Sequence, residues 1–304
     1  METVIRTAQL TKSFKGTNVI KPFDFTLYKG EICALIGQNG AGKSTVFKML
    51  SGQLIPSSGE IQLFGGIGRH NVEARRRMGF LIETPAFFPD FTAEQNLKYY
   101  ALQRGIVEKN RIAEVLAIVN LADEKRKRFK AYSMGMKQRL GLALCLLANP
   151  DCLVLDEPIN GLDAEGIREM RNLLIRLNEE KQITIFISSH ILTELHLLAK
   201  RFVFLKDGVV VEDISKEALQ EKSRKQLIVS VEDAAKAVRL LEQNYPSVSY
   251  QVLPDQVITI DGHIEDGGEI NRLFTMNGVT VREFRAEARN LEEYFLELVG
   301  GAAV

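Results

Sequence analysis

The sequence predicts an α/β lobe with a mainly parallel sheet, carrying an inserted helical subdomain and followed by a small α+β domain. Short, uniformly apolar runs (Ile32–Ile36, Cys152–Leu155 and Ile183–Ile187) alternate with helical patterns over the first two thirds of the chain. Strands covered by helices on both faces have this continuous character. Residues from Phe91 to Phe129 are helix-rich and poor in strand signals, which places a helical subdomain at about 91–150. Past the polar run Gln220–Lys225 the pattern changes to a β-α-β-β-α-β order, as in split βαβ domains. The 304 residues suit about two domains of roughly 150 residues, here 1–222 and 223–304.

The Ile32–Ile36 strand runs into a glycine-rich turn and then a helix. Phe202–Leu205 and Val209–Val211 are joined by Lys206-Asp207-Gly208, whose Asp-Gly pair reads as a hairpin turn. In the last domain, Leu227–Val231 is a strand and Ala234–Gln243 a helix. Ser247–Leu253 and Val257–Ile260 are strands around Pro254-Asp255. A helix near Ile270–Met276 and a strand near Val279–Phe284 follow. A closing helix starts at Asn290, with Glu293 completing a capping box; Leu291, Phe295 and Leu298 share one face, and Gly300-Gly301 end it.

With 45% hydrophobic and 26% charged residues, disorder, collagen and coiled coil are excluded. Thirty-nine basic residues balance 39 acidic ones, so no global charge drives the chain toward nucleic acid or anionic lipid. Cys33, Cys145 and Cys152 lie in apolar runs. Their odd number and spacing argue against a disulfide scaffold and suit core packing in a reducing compartment. Met1–Arg6 has no signal-type apolar stretch, and Leu140–Ala148, the longest apolar run, is too short to span a membrane. A role at the membrane therefore requires a partner.

Gly37-Gln38-Asn39-Gly40-Ala41-Gly42-Lys43-Ser44-Thr45 matches G-x-x-x-x-G-K-[ST], between a buried strand and a helix as that motif requires. Glycines let backbone N–H groups wrap phosphates, and the helix start adds partial positive charge. Lys43 is placed to neutralise β- and γ-phosphates, and Ser44 offers a hydroxyl to Mg²⁺. Gly37, Asn39, Gly40, Gly42, Lys43, Ser44 and Thr45 are the candidate nucleotide-phosphate-binding residues of the loop. Leu153–Leu155 ends in Asp156-Glu157. Asp156 is a candidate Mg²⁺ holder through water; Glu157 points the other way if the strand persists, and is the candidate base on the attacking water.

Together with these motifs, Tyr132-Ser133-Met134-Gly135-Met136-Lys137-Gln138-Arg139 resembles the signature of the ATP-binding-cassette (ABC) ATPases. Ser188-Ser189-His190 resembles that family's switch histidine, and Asn160-Gly161-Leu162-Asp163 its D-loop. Phe14 occupies the place of the aromatic that stacks on adenine. The resemblance covers about residues 1–220. It implies ATP hydrolysis in a head-to-tail dimer, with nucleotide between the phosphate loop of one copy and Ser133 and Gly135 of the other. A second anion site at a helix start agrees with that arrangement. The family usually has glutamine where Met78–Pro85 places Glu83. A carboxylate can still ligate Mg²⁺, but it cannot donate as an amide does and adds negative charge. Glu83, Tyr132–Met136 and the closing segment Asn290–Leu298 are similar to the subgroup serving bacitracin-resistance and lantibiotic self-protection exporters.

The resemblance implies separate integral-membrane permease subunits as partners and a bacterial location on the cytoplasmic face of the membrane. The coupling surface is expected near Glu83–Phe91 and the helical subdomain, with Phe87, Phe88 and Phe91 as candidates and packing in a helical core as the alternative for them. A non-transport ATPase acting on ribosomes or nucleic acid is the alternative, but the chain shows one cassette and no coiled-coil insertion. The basic runs Arg75–Arg77 and Glu124–Lys130 read as solvated faces. His70, His196 and His263 have no partners at metal-ligand spacing.

Overall fold

The computed structural model describes residues 2–67, 72–83, 86–108, 110–222, 225–261, 265–288, 294 and 298. The chain forms two compact units, divided between Lys216 and Glu217, ahead of the 222/223 boundary expected from the polar run.

The first unit opens with two long strands, β1 (Thr3–Phe14) and β2 (Thr17–Tyr28), paired antiparallel. In β2, Phe23, Phe25 and Leu27 alternate toward the core, the two-residue period of a strand with one face buried. Next come β3 (Ile32–Ile36), α1 (Lys43–Ser51), β4 (Ser58–Leu63), the two-residue β5 (Gly66–Ile67), the short α2 (Val72–Arg76) and β6 (Met78–Leu81). Three helices of the subdomain follow: α3 (Ala93–Gln103), α4 (Arg111–Ile118) and α5 (Met134–Leu146). The unit closes with β7 (Cys152–Asp156), α6 (Ala164–Lys181), β8 (Thr184–Ser189), α7 (Leu192–His196), β9 (Arg201–Lys206) and β10 (Val209–Ser215).

Two sheets result. One is antiparallel, in the order β2-β1-β4-β5. The other has six strands in the order β10-β9-β3-β8-β7-β6, parallel except for the β9–β10 hairpin. The antiparallel sheet is absent from the expectations above, which foresaw only the mainly parallel core. Phe186 of β8 links the layers: its ring stacks on Phe25 of β2 at 4.5 Å and meets Phe47 of α1 at 4.9 Å. That contact seats α1 against the sheet. All of β3 and β8 is buried, so their ends are fixed in place. In the expected hairpin turn, Asp207 and Gly208 both have positive φ (47° and 74°), the backbone a two-residue turn requires. The three cysteines are buried and free, and burial pushes their thiols up, Cys145 to about 12.

In the second unit, α8 (Lys216–Lys222) leads into β11 (Lys225–Val231), α9 (Ala234–Asn244), β12 (Ser249–Leu253), β13 (Val257–Asp261), α10 (Gly267–Met276) and β14 (Val281–Ala288). The sheet order β12-β13-β11-β14 is antiparallel throughout and realises the expected β-α-β-β-α-β order. Leu227, Val229, Ile258, Ile260, Ile270 and Phe274 lie in its core. The last strand starts at Val281 rather than Val279. The N–H groups of Gly278 and Val279 instead cap carbonyls of Thr275 and Phe274 at the end of α10. The closing helix expected from Asn290 falls mostly outside the described residues, as do His70 and His263. Among the described residues no helix is long and apolar enough to cross a membrane.

Candidate nucleotide site

The carboxyl ends of the parallel strands carry the chemistry, where α/β sheets bind ligands. β3 leads into the phosphate loop, β7 into the acidic pair and β8 into His190. The loop is braced by the β9–β10 hairpin: Gly208 N–H donates to Ala41 O at 3.0 Å. A Cβ on Gly37 would lie 2.5 Å from Leu205 O, so only glycine allows this approach. Gly42, with φ 109°, turns the chain into α1. The N–H groups of Lys43, Ser44 and Thr45 then lie in the first helical turn, without intrahelical partners, as an anion site requires.

Lys43 is buried. Its ammonium donates to Gly37 O at 2.6 Å and to Gln38 O at 3.2 Å. It also lies 3.1 Å from Glu157 Oε1, an ion pair whose angles do not make a hydrogen bond. Glu157 Oε2 lies 2.9 Å from His190 Nδ1. One carboxylate thus bridges Lys43 and His190. The strand does not persist through the acidic pair. It ends at Asp156, and Glu157 has φ 48°. This left-handed turn, rather than strand alternation, separates the two carboxylates.

Ser188 was not singled out from the sequence, yet it organises the pair. It stands beside Asp156 in the β7–β8 register. Its hydroxyl donates to Asp156 Oδ1 at 2.6 Å and accepts from Glu157 N–H at 3.0 Å. A serine one strand away leaves no local mark in sequence; only the register reveals it.

Phe14, at the end of β1, is 45% exposed, with Lys12 Nζ 4.9 Å from its ring centre. It is not a core aromatic. Glu83 follows β6 with φ 61° and is exposed; its Oε1 lies 2.5 Å from Lys48 Nζ of α1. Ser133 caps α5 by accepting from Met136 N–H at 3.3 Å, and Asp163 caps α6 by accepting from Gly166 N–H at 2.9 Å. Ser133, Gly135 and Asp163 line a cavity of about 490 Å³, to which the phosphate loop contributes no residue. The starts of α1 and α5 therefore do not line one cavity within one chain. Phe87 is buried against Tyr100 and Phe129, as core packing would have it, while Phe88 and Phe91 are exposed beside Tyr99.

A phosphate cradle, a buried lysine and a strand-end carboxylate held by histidine define a P-loop nucleotide hydrolase. The ABC transporter family model matches residues 20–160. Bacitracin transport ATP-binding protein BcrA of Bacillus licheniformis is 41% identical, with full coverage of both chains. Lantibiotic transport ATP-binding protein SrtF of Streptococcus pyogenes is 36% identical over 228 residues, covering 74% of this chain and 98% of its own. Among solved structures, the ATP-binding subunit of an ABC transporter aligns with TM-score 0.63 and 30% identity, over 72% of this chain and 93% of that one. A dimeric ATP-binding cassette with ADP and Pi shares the fold, with TM-score 0.63 and 24% identity over 70% and 98%. The chain belongs to the ATP-binding proteins of the ABC transporter family. It is an ATPase, and ATP is its nucleotide.

Proposed function

We propose that this chain powers a bacterial exporter protecting against peptide antibiotics of the bacitracin or lantibiotic type, seated peripherally on the cytoplasmic face of the membrane against separate permease subunits. The transported class rests on the relatives' names, which are those of bacitracin and lantibiotic transport proteins. Exposed Phe88, Phe91 and Tyr99 beside the Glu83 segment offer an aromatic surface for the permease.

The observation that carries the catalytic reading is the position of Glu157 between Lys43 and His190. Glu157 accepts a proton from the attacking water, and His190 holds its carboxylate in line. Lys43 leaves Glu157 to neutralise the triphosphate. The first-turn N–H groups and the Gly37–Gly42 backbone hold the phosphates, and Phe14 stacks on adenine. Ser44 hydroxyl and Asp156 carboxylate form a hard-oxygen donor set suited to Mg²⁺. Phosphate and water oxygens would complete the set, the usual way Mg²⁺ is held. Mg²⁺ supplies charge neutralisation across the phosphates. Glu83, in the place of the family's glutamine, is a further oxygen donor toward it. Ser133 and Gly135 of a second copy close the site from the other side, with Asp163 beside them. The separation of the two helix starts within one chain supports that dimer.

Glu157→Gln is expected to bind ATP, to lower turnover by about 10²–10⁴-fold, and to accumulate as an ATP-dependent dimer. Phosphate release and light scattering measure the two effects. Turnover at the wild-type rate would remove Glu157 as the base.

A further inference from the structure

Lys48 is used by none of the chemistry above. It lies one turn beyond Ser44 on α1, so the two share a face of the helix that begins at the phosphate cradle. Its ammonium and the Glu83 carboxylate are 2.5 Å apart, with side chains 32% and 67% exposed. Glu83 reaches it from the turn after β6, 35 residues along the chain. A carboxylate beside a triphosphate and its metal carries a charge that a neutral amide there would not. A cation one helical turn away offsets that charge. An exposed pair of this kind is weak, so it can open when a stronger electrostatic partner arrives.

We propose that Lys48 is the counter-ion of Glu83: it holds the carboxylate against α1 while the site is empty, balances its charge, and gives it up when metal-bound nucleotide occupies the site. This rests on the reading that Glu83 stands at the metal side of the nucleotide. In this role Lys48 acts through Glu83 and touches neither phosphate nor metal. Losing Lys48 then has a sign that depends on Glu83. With the carboxylate unbalanced, metal-free nucleotide binds more weakly and less Mg²⁺ is needed for half-maximal binding. With glutamine at 83 there is nothing to balance.

The test is a double-mutant cycle on the full chain: wild type, Lys48→Met, Glu83→Gln and the double variant, with Lys48→Arg as the conservative control. The readout is fluorescence of a bound ATP analogue during Mg²⁺ titration, with thermal melting confirming that each protein is folded. Lys48→Met should lower the Mg²⁺ midpoint about three- to fivefold in the Glu83 protein, the range of an exposed pair. In the Glu83→Gln background the shift should vanish, and Lys48→Arg should match wild type. Equal shifts in both backgrounds overturn the counter-ion role while leaving the metal site standing. If wild-type binding ignores Mg²⁺, the reading of Glu83 falls, and the role of Lys48 falls with it.

Discussion

A single serine hydroxyl ties the acidic pair to the neighbouring strand. Ser188 is fully buried; its hydroxyl holds Asp156 Oδ1, and its hydroxyl and carbonyl both accept from Glu157 N–H, at 3.0 and 3.2 Å. Ser188→Ala should raise the Mg²⁺ needed for turnover and lower kcat by about 10- to 100-fold, the cost of a lost hydrogen bond to a charged group. Metal-free nucleotide binding should change little, which a titration in EDTA checks. The phosphate loop was legible in the sequence because its chemistry fixes residue types at fixed spacing from Gly37 to Thr45. The turn at Glu157 was not, since a left-handed glutamate has no sequence signature. Ser188–Asp156 and Lys48–Glu83 were equally hidden: each joins residues more than 30 positions apart, and only the fold brings them together.

Secondary-structure signals divided along a similar physical line. Strands buried on both faces, such as β3 and β8, announce themselves as apolar runs. β1 and β2 bury one face, and their mixed polar and apolar residues dilute the signal. The start of β14 was misplaced because apolar Val279 is buried yet serves the end of α10. Helix α3 shows local chemistry at its clearest. Thr92 accepts from Gln95 N–H at 3.2 Å, and Gln95 Oε1 accepts from Thr92 N–H at 2.8 Å, a complete capping box. Asn96, one residue on, receives Phe88 N–H at 2.8 Å, so the start of α3 also fixes the exposed aromatic segment. Thr92→Ala should destabilise the protein by about 1 kcal/mol, lowering the midpoint of urea unfolding. An unchanged midpoint would show that the cap contributes nothing here.

The change of pattern near Gln220 lies close to the division of the chain at Lys216 and Glu217, and the second unit's strand order follows from its split βαβ sequence. What sequence spacing could not supply is that the cavity at Ser133 and the cradle at Lys43 are separate within one chain. A composite dimer makes a strong demand on mixtures. Lys43→Ala and Ser133→Arg should each abolish ATP hydrolysis alone. Mixed in equal amounts, they should recover up to about a quarter of wild-type activity, because a mixed pair contains one intact site. No recovery after exchange of subunits would sink the composite arrangement. The contact between Lys43 and Glu157 has its own consequence for the cycle. The protein supplies an internal rival for the incoming triphosphate, so nucleotide affinity reports a contest between two anions for one ammonium group. On the proposed mechanism, Glu157 passes on the proton it took from water once phosphate departs, and the restored carboxylate reclaims Lys43.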